Sequence, residues 1–339
     1  MVDKPSKTAV VLFNLGGPDT LNAVKPFLFN LFYDKAIIRL PNPLRYFIAK
    51  LISAKREHEA LEIYRQIGNK SPLLENTQAQ ADALQTILGD KHRIFIVMRY
   101  WHPRLEQTLK DIQAWCPDEI VLLPLYPQFS TTTTESSLHE WHELTSQLSY
   151  NVPTRTVGCY PFHPLFLKSY QELINRTIEP FQDLPYRLLF SAHGLPKKIV
   201  DAGDPYAWQV QRCVETLVRD LELPGLDWRV CYQSRVGLLE WLKPYTDVEI
   251  RQAAQENLGV VVVPIAFISE HSETLVELDI QYRKLALEHG APFYACVPTV
   301  GCHPQFIAGL AEMVKNPYTS LPMCPIEYKN CFCRKINHV

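Results

Sequence analysis

Arg187-Leu-Leu-Phe-Ser-Ala-His193-Gly-Leu-Pro196 decides how this chain is read. Its companion is Val260-Val-Val-Val-Pro264-Ile-Ala-Phe-Ile-Ser-Glu270-His271-Ser-Glu273-Thr-Leu-Val-Glu277-Leu-Asp279. Both begin as apolar, leucine-rich or β-branched runs, the pattern of parallel strands buried on both faces. Each ends in a loop that holds a histidine, and the second adds carboxylates. In open α/β sheets the carboxyl ends of the strands form the ligand crevice, so His193 and Glu273 are expected to face one cleft. Imidazole with carboxylate suits proton abstraction and also divalent-metal binding. Chemistry that loads a metal into a ligand while stripping its protons needs both.

Outward from these stretches, strand-like and helical patterns alternate. Strands are expected at Thr8 to Leu15, Arg93 to Arg99, Glu119 to Leu125, Tyr186 to Ala192, Trp228 to Gln233, Val260 to Phe267 and Pro292 to Val297. Helical spacing covers Glu57 to Ile67, Asn76 to Leu88, Leu105 to Ala114, Ser136 to Leu148, Pro205 to Leu221, Ser272 to Glu288 and Gln305 to Val314. The fold class is therefore α/β, with parallel sheets covered by helices. The halves also look like a diverged duplication. Ile120 to Thr134 overlays Val260 to Thr274 without a gap, and Thr8 to Pro18 overlays Tyr186 to Pro196. Two similar lobes facing across a cleft are expected, residues 1–153 and 154–315, with a tail over 316–339. Lys25 to Ala54, aromatic and broken by Pro41 and Pro43, reads as an inserted flap within the first lobe.

Composition excludes several classes. At 339 residues, 47% hydrophobic and 21% charged, this is an ordinary folded chain long enough for two domains. A net charge of -2 without a basic stripe gives no support for nucleic-acid binding. The longest apolar stretch, Val260 to Phe267, is far short of a membrane span. Lys4 and Lys7 lead straight into a strand, unlike a signal peptide. A cytoplasmic protein with reduced thiols is expected, so its nine cysteines are not a disulfide framework.

Each signal has an ordinary alternative. Gly16-Gly17-Pro18 lacks the further residues of a Walker loop or a dinucleotide fingerprint. His193 alone could be a satisfied strand-end histidine; its place before Gly194 and Pro196 favours function. The acids from Glu270 to Asp279 could simply favour a helix dipole, and Glu277 and Asp279 read as solvated surface charge. The flap's aromatics could be core; with Lys35, Arg39, Arg45, Lys50, Lys55 and Arg56 among them, they also fit a lip over a flat anionic ligand or a segment resting on a membrane. Cys324, Cys331 and Cys333 form a C-x6-C-x-C group in an aperiodic tail, which points to metal or cluster ligation. Zinc is the competitor, although it usually takes C-x2-4-C pairs, whereas iron–sulfur centres tolerate odder spacings and need a fourth thiolate.

Taken together, the motifs resemble those of ferrochelatases. The resemblance runs from about Thr8 to Lys315. It rests on Leu15-Gly-Gly-Pro18, Tyr64-Arg-x-Ile-Gly68, Ser71-Pro72, Met98-Arg-Tyr-Trp-His-Pro103, Leu125-Tyr-Pro-Gln-Phe-Ser130, Phe190-Ser-Ala-His-Gly-Leu-Pro196, Gly203-Asp-Pro-Tyr206, Cys231-Tyr-Gln-Ser-Arg-Val-Gly237, Trp241-Leu-x-Pro-x-Thr-Asp247 and Glu270-His-Ser-Glu-Thr-Leu-x-Glu-Leu-Asp279. It implies two Rossmann-like lobes, each with a four-stranded parallel sheet, and insertion of ferrous iron into protoporphyrin or a related dicarboxylic porphyrin. It makes His193, Glu273 and His271 the catalytic candidates, with His193 and Glu273 meeting the substrate iron. Leu15, Arg56, Tyr64, Ser71, Arg99, Tyr126, Trp241 and Phe267 become porphyrin contacts. The tail resembles that of bacterial members with a [2Fe-2S] cluster, whose ligands here would be Cys159, Cys324, Cys331 and Cys333, with Cys302 in reserve. Thr131 stands where animal members carry a cysteine. A homodimer and peripheral membrane contact are both compatible. The rival readings are a tetrapyrrole or metal carrier without turnover, a redox sensor built on the tail, and a cobalt chelatase of corrin synthesis.

Overall fold

The computed structural model describes residues 6–237, 239–316 and 324–335, with no side-chain description at 335. Two compact units emerge. The first comprises the described residues of Met1–Tyr126, Ser130–Cys159 and Leu310–Thr319; the second comprises those of Pro127–Phe129, Tyr160–Gly309 and Ser320–Val339.

The first unit is built on β1 (Thr8–Asn14), whose seven residues are all buried. β2 (His92–Met98) and β3 (Glu119–Pro124) flank it in parallel, and β4 (Thr154–Thr156) closes one edge, giving the order β2-β1-β3-β4. The second unit repeats this around β5 (Tyr186–His193). With β6 (Asp227–Gln233), β7 (Gly259–Val263) and β8 (Tyr294–Cys296), its order is β6-β5-β7-β8. The strands that overlay in sequence, β1 on β5 and β3 on β7, hold equivalent places in the two sheets. All pairings are parallel, because each connection returns through a helix.

In the first unit these helices are α1 (Val24–Tyr33), α2 (Leu44–Arg65), α3 (Leu73–Leu88), α4 (Leu105–Trp115) and α5 (Thr134–Gln147). Next come α6 (Pro164–Ile178), α7 (Lys197–Asp201), α8 (Tyr206–Leu221) and α9 (Thr246–Gln255). A π-helix at Glu273–Gln281 continues into α10 (Tyr282–Glu288), followed by α11 (Pro304–Lys315) and the short α12 (Phe332–Lys335).

The aromatic insertion is more regular than its prolines suggest. Pro41 and Pro43 fall in the turn between α1 and α2, so neither interrupts a hydrogen-bond ladder, and α2 begins at Leu44 rather than near Glu57. Val24, Phe27 and Leu28 bury themselves against Tyr64 and Tyr100, with Leu15 and Trp101 packed around them. Phe29, Tyr33 and Tyr46 form a second ring cluster with centroids 5.4–6.0 Å apart. Leu44, Phe47 and Leu51 stay exposed at 52%, 63% and 70%.

The described tail residues 324–334 dock within the second unit by polar and aromatic contacts. Asn330 donates Nδ2–H to Ala202 O at 3.0 Å, Tyr328 packs near Trp208 and Phe332 near Phe129. Gly203, at φ +95°, holds a conformation that favours glycine and accepts the Asn330 N–H on its carbonyl at 3.4 Å.

Candidate active site

His193 is the last residue of β5, and the π-helix that follows the β7 loop starts at Glu273. The two side chains meet: His193 Nδ1 lies 2.9 Å from Glu273 Oε2. His271 Nε2 is 3.7 Å from the same oxygen, its Nδ1 lies 3.2 Å from Ser269 O, and its ring lies 4.8 Å from that of Phe267. Burial alone would raise the Glu273 carboxyl. The charge and hydrogen bond of His193, with His271 adding, outweigh it and hold the acid well below the usual carboxylate range. Both members keep access to solvent, with side-chain exposures of 38% for His193 and 29% for Glu273.

Glu277 departs from the surface role expected of it. It accepts hydrogen bonds from the Ser234 N–H and Tyr282 Oη, both at 2.9 Å, from Ser234 Oγ, and from Gln233 Nε2 at 3.3 Å. Burial, then the negative charge of Glu273, push its carboxyl up, against the lowering effect of the Ser234 and Tyr282 donors. Both acids lie in the nine-residue π-helix. Glu273 reaches the end of β5 while Glu277, four residues on, reaches Gln233 and Ser234 at the end of the adjacent β6. Such wide turns are rare and recur at functional sites. Behind them, Ser191 Oγ donates to Gln233 Oε1 at 2.7 Å and lies 2.9 Å from Thr246 Oγ1. Asp279 does behave as surface charge, pairing with Arg283 one turn away.

Trp241 lies beside the loop after His193. Its Nε1 donates to Val236 O at 3.0 Å, and Leu242 N donates to Leu195 O at 3.0 Å. A Cβ on Gly194 would stand 2.9 Å from Gln233 O and 3.2 Å from the Trp241 ring, so no larger residue fits between them.

The remaining expected contacts lie in the first unit. A Cβ on Gly17 would overlap the Ser71 side chain, and Ser71 N donates to Pro18 O at 2.7 Å. That close approach accounts for the pairing of the Leu15-Gly-Gly-Pro18 and Ser71-Pro72 motifs. Tyr64 is buried beside Leu15, and the Arg56 guanidinium lies 5.8 Å from the Phe32 ring centroid. Arg99 is clamped: its guanidinium meets Asp34 Oδ2 at 3.0 Å, Glu140 Oε1 at 2.9 Å and Ser136 Oγ at 2.8 Å. Asp34 also accepts from Tyr100 Oη at 2.7 Å and from Ala36 N at 2.8 Å. Burial would raise the Asp34 carboxyl, but Arg99 and these donors bring it below its ordinary value of 3.8. Tyr126 keeps a buried hydroxyl whose proton burial holds in place. Asp34 and Glu140 are polar residues outside every sequence motif, whereas Glu277 lies inside one but was expected at the surface. The only advance signal was a carboxylate close in sequence to aromatic or apolar residues.

In the tail, Cys331 Sγ lies 3.2 Å from Cys324 Sγ, both buried, and the Cys333 thiol also reaches Cys331. Three soft donors in one place are the right kind of ligand for a metal–thiolate centre. Here they contact one another, and among the described residues no group of three or more His, Cys, Asp or Glu side chains is arranged to hold a metal ion. Cys159 is buried in the first unit, and Cys302 is exposed. No helix among the described residues is long and apolar enough to cross a membrane.

Two four-stranded parallel sheets with an imidazole–carboxylate pair at a strand end define a chelatase-like protein. The fold is similar to that of the sirohydrochlorin chelatase SirB from Bacillus subtilis subspecies spizizenii, solved in complex with cobalt. The TM-score is 0.52 at 12% identity, covering 92% of this chain and 97% of that one. The family model for ferrochelatase matches residues 7–318. A ferrochelatase of Rickettsia bellii (strain OSU 85-389) is 48% identical over 343 residues, covering 96% of this chain and 95% of the relative. One from Wolbachia sp. subsp. Drosophila simulans (strain wRi) is 48% identical, covering 91% and 99%. One from Pelagibacter ubique (strain HTCC1062) is 44% identical, covering 96% and 98%. The chain belongs to the ferrochelatase family and is a metal chelatase, an enzyme of the lyase type.

Proposed function

We propose that this chain inserts ferrous iron into protoporphyrin IX, or a closely related dicarboxylic porphyrin, to make haem at the last step of haem synthesis. The observation that carries the proposal is the 2.9 Å contact between His193 and Glu273 at the end of β5 in a chain of this family. Metallation replaces two pyrrolic protons with one divalent ion and changes no oxidation state. His193 is the proton acceptor, and Glu273 stabilises the imidazolium that forms. Glu277, whose carboxyl is pushed up while that of Glu273 is held down, is the next proton carrier along the π-helix. Neighbouring acids driven apart in this way divide donor and acceptor roles between them. His271 and Glu273 assist delivery of the substrate iron. Such donors discriminate weakly by affinity, so zinc and cobalt should also be inserted in vitro.

Porphyrin contacts are assigned to Leu15, Arg56, Tyr64, Ser71, Arg99 and Tyr126 of the first unit and Trp241 and Phe267 of the second. An apolar grip that bends the macrocycle would expose its nitrogen lone pairs. Peripheral membrane contact is assigned to the exposed Leu44, Phe47 and Leu51 of α2, which alternate with Arg45 and Lys50. Sedimentation with anionic vesicles tests that assignment.

The tail is assigned a [2Fe-2S] centre held by Cys159, Cys324, Cys331 and Cys333. Its support is the convergence of three tail thiols, since the family match stops at residue 318. The centre would supply metal–thiolate bonds that order the tail. The purified protein should be brown, with two irons and two sulfides per chain, and one zinc in a colourless protein would contradict the assignment. The enzymatic proposal is tested by anaerobic Fe2+ insertion into protoporphyrin beside coproporphyrin. Binding of porphyrin and iron without turnover would identify a carrier instead.

A further inference from the structure

Gln209, on α8, is fully buried and lies outside the imidazole–carboxylate site. Its amide is oriented from one end: Oε1 accepts the Phe129 N–H at 2.7 Å. A backbone N–H can only donate, so the carbonyl oxygen is the atom that must face it. The other end, Nε2, is thereby directed at the Cys324 sulfur, 3.2 Å away. The flanking contacts fix this geometry further. Phe332, between Cys331 and Cys333, packs near Phe129, the residue whose N–H sets the amide. Arg334 donates to the carbonyls of Cys324 at 2.6 Å and Pro325 at 3.2 Å, which holds the Cys324 backbone in register with the second pair of thiols. A side chain this buried and this strictly oriented is doing more than filling space, because an apolar residue of similar volume would fill it without needing two partners.

We propose that Gln209 is a positioning residue for the tail's metal centre, donating an N–H···S hydrogen bond to the ligand sulfur of Cys324. The proposal rests on the reading that these thiols hold a [2Fe-2S] centre. Outer-shell donors of this kind orient a ligand and tune its metal, and hydrogen bonds to cluster sulfurs help set reduction potential by stabilising the more negative, reduced form. Only the Cys324 side of the centre is affected, so the cluster should be unevenly tuned between its two irons.

The test compares the full-length chain with Gln209→Glu and Gln209→Met. Glutamate keeps an acceptor for Phe129 but cannot donate to sulfur when ionised; methionine removes both functions with similar bulk, and circular dichroism reports whether each variant folds. In the cluster-loaded protein, both variants should shift the midpoint potential to more negative values. The expected size is about tenfold in the oxidised-to-reduced ratio, or about 59 mV for a one-electron couple. A folded variant with an unchanged potential overturns the proposal. If the wild-type chain carries no cluster, the [2Fe-2S] reading fails by itself. Gln209 is then judged by titrating the full chain with Co2+ and following the thiolate-to-cobalt charge-transfer band. Affinity should fall at least tenfold in both variants; equal affinity, or no such band in the wild type, overturns it. A purely space-filling role would lower thermal stability in the methionine variant while leaving potential and affinity where they were.

Discussion

The two units carry the same sheet, with strand orders β2-β1-β3-β4 and β6-β5-β7-β8, yet they place their charges in opposite ways. In the first, Asp34, Arg99, Glu140 and Arg104 form a continuous chain of ion pairs. In the second, the carboxylate beside the strand end meets a histidine, and both remain partly open to solvent. A guanidinium keeps its proton at any physiological pH, so Arg99 and Arg104 fix their carboxylate partners in place and do not pass protons themselves. An imidazole can do so near neutrality. The same strand order thus carries a guanidinium–carboxylate network in one unit and an imidazole–carboxylate pair in the other.

The sharpest way to break this contrast is at Glu273. Glu273→Gln should lower kcat by about 10²- to 10⁴-fold, the usual range for a proton-transfer group, with little change in porphyrin affinity by fluorescence quenching. Asp34→Asn should act on the other side of the contrast. It leaves Arg99 buried with one partner fewer, a loss of about 3–5 kcal/mol for a broken buried pair, measured by denaturant unfolding. Because the folded Asp34 carboxyl lies below its ordinary value of 3.8, its stabilisation is complete above that pH and disappears as pH falls through the folded value. The gap between wild type and Asp34→Asn should therefore be widest near neutrality and close in acid. A variant with unchanged stability but lost turnover would mean that the first unit's charges are chemical after all.

A smaller effect is expected at Gly17→Ala, where the new methyl overlaps Ser71. Overpacking of this kind costs about 1–3 kcal/mol, and thermal melting should show it alongside a raised KM for porphyrin. The smallest belongs to Asp279→Asn. Its pair with Arg283 is roughly half-exposed on both sides, so unfolding should change by no more than about 0.5 kcal/mol and turnover should hold. A large drop in turnover would extend the chemical region along the π-helix beyond Glu277.

Buried strands were readable from sequence because runs such as Val260 to Val263 are apolar at every position, and helices because Leu105, Leu109 and Ile112 recur on one face. The short β4, Thr154-Arg-Thr156, carries no apolar signal and exists only because β3 offers it an edge. α6 has the required spacing in Phe166, Leu167, Tyr170, Ile174 and Ile178 and was open to the same reading. His193 and Glu273 could be picked out as chemical groups at strand ends. Glu277 could not: its spacing puts it on the helix face of Glu273, but its partners Gln233 and Ser234 come from the end of β6, which only the fold brings there. Asp34 was hidden for a related reason: its partners Arg99, Tyr100 and Ser136 come from distant chain positions that only the fold assembles.

In the proposed reaction the half-exposed imidazole at the end of β5 removes the pyrrole protons. Anaerobic Fe2+ insertion by His193→Ala, measured as turnover with porphyrin binding followed in parallel, tests it most directly. The expected result is loss of turnover by at least about 10²-fold with porphyrin still bound. Turnover close to that of the unaltered chain would contradict the claim.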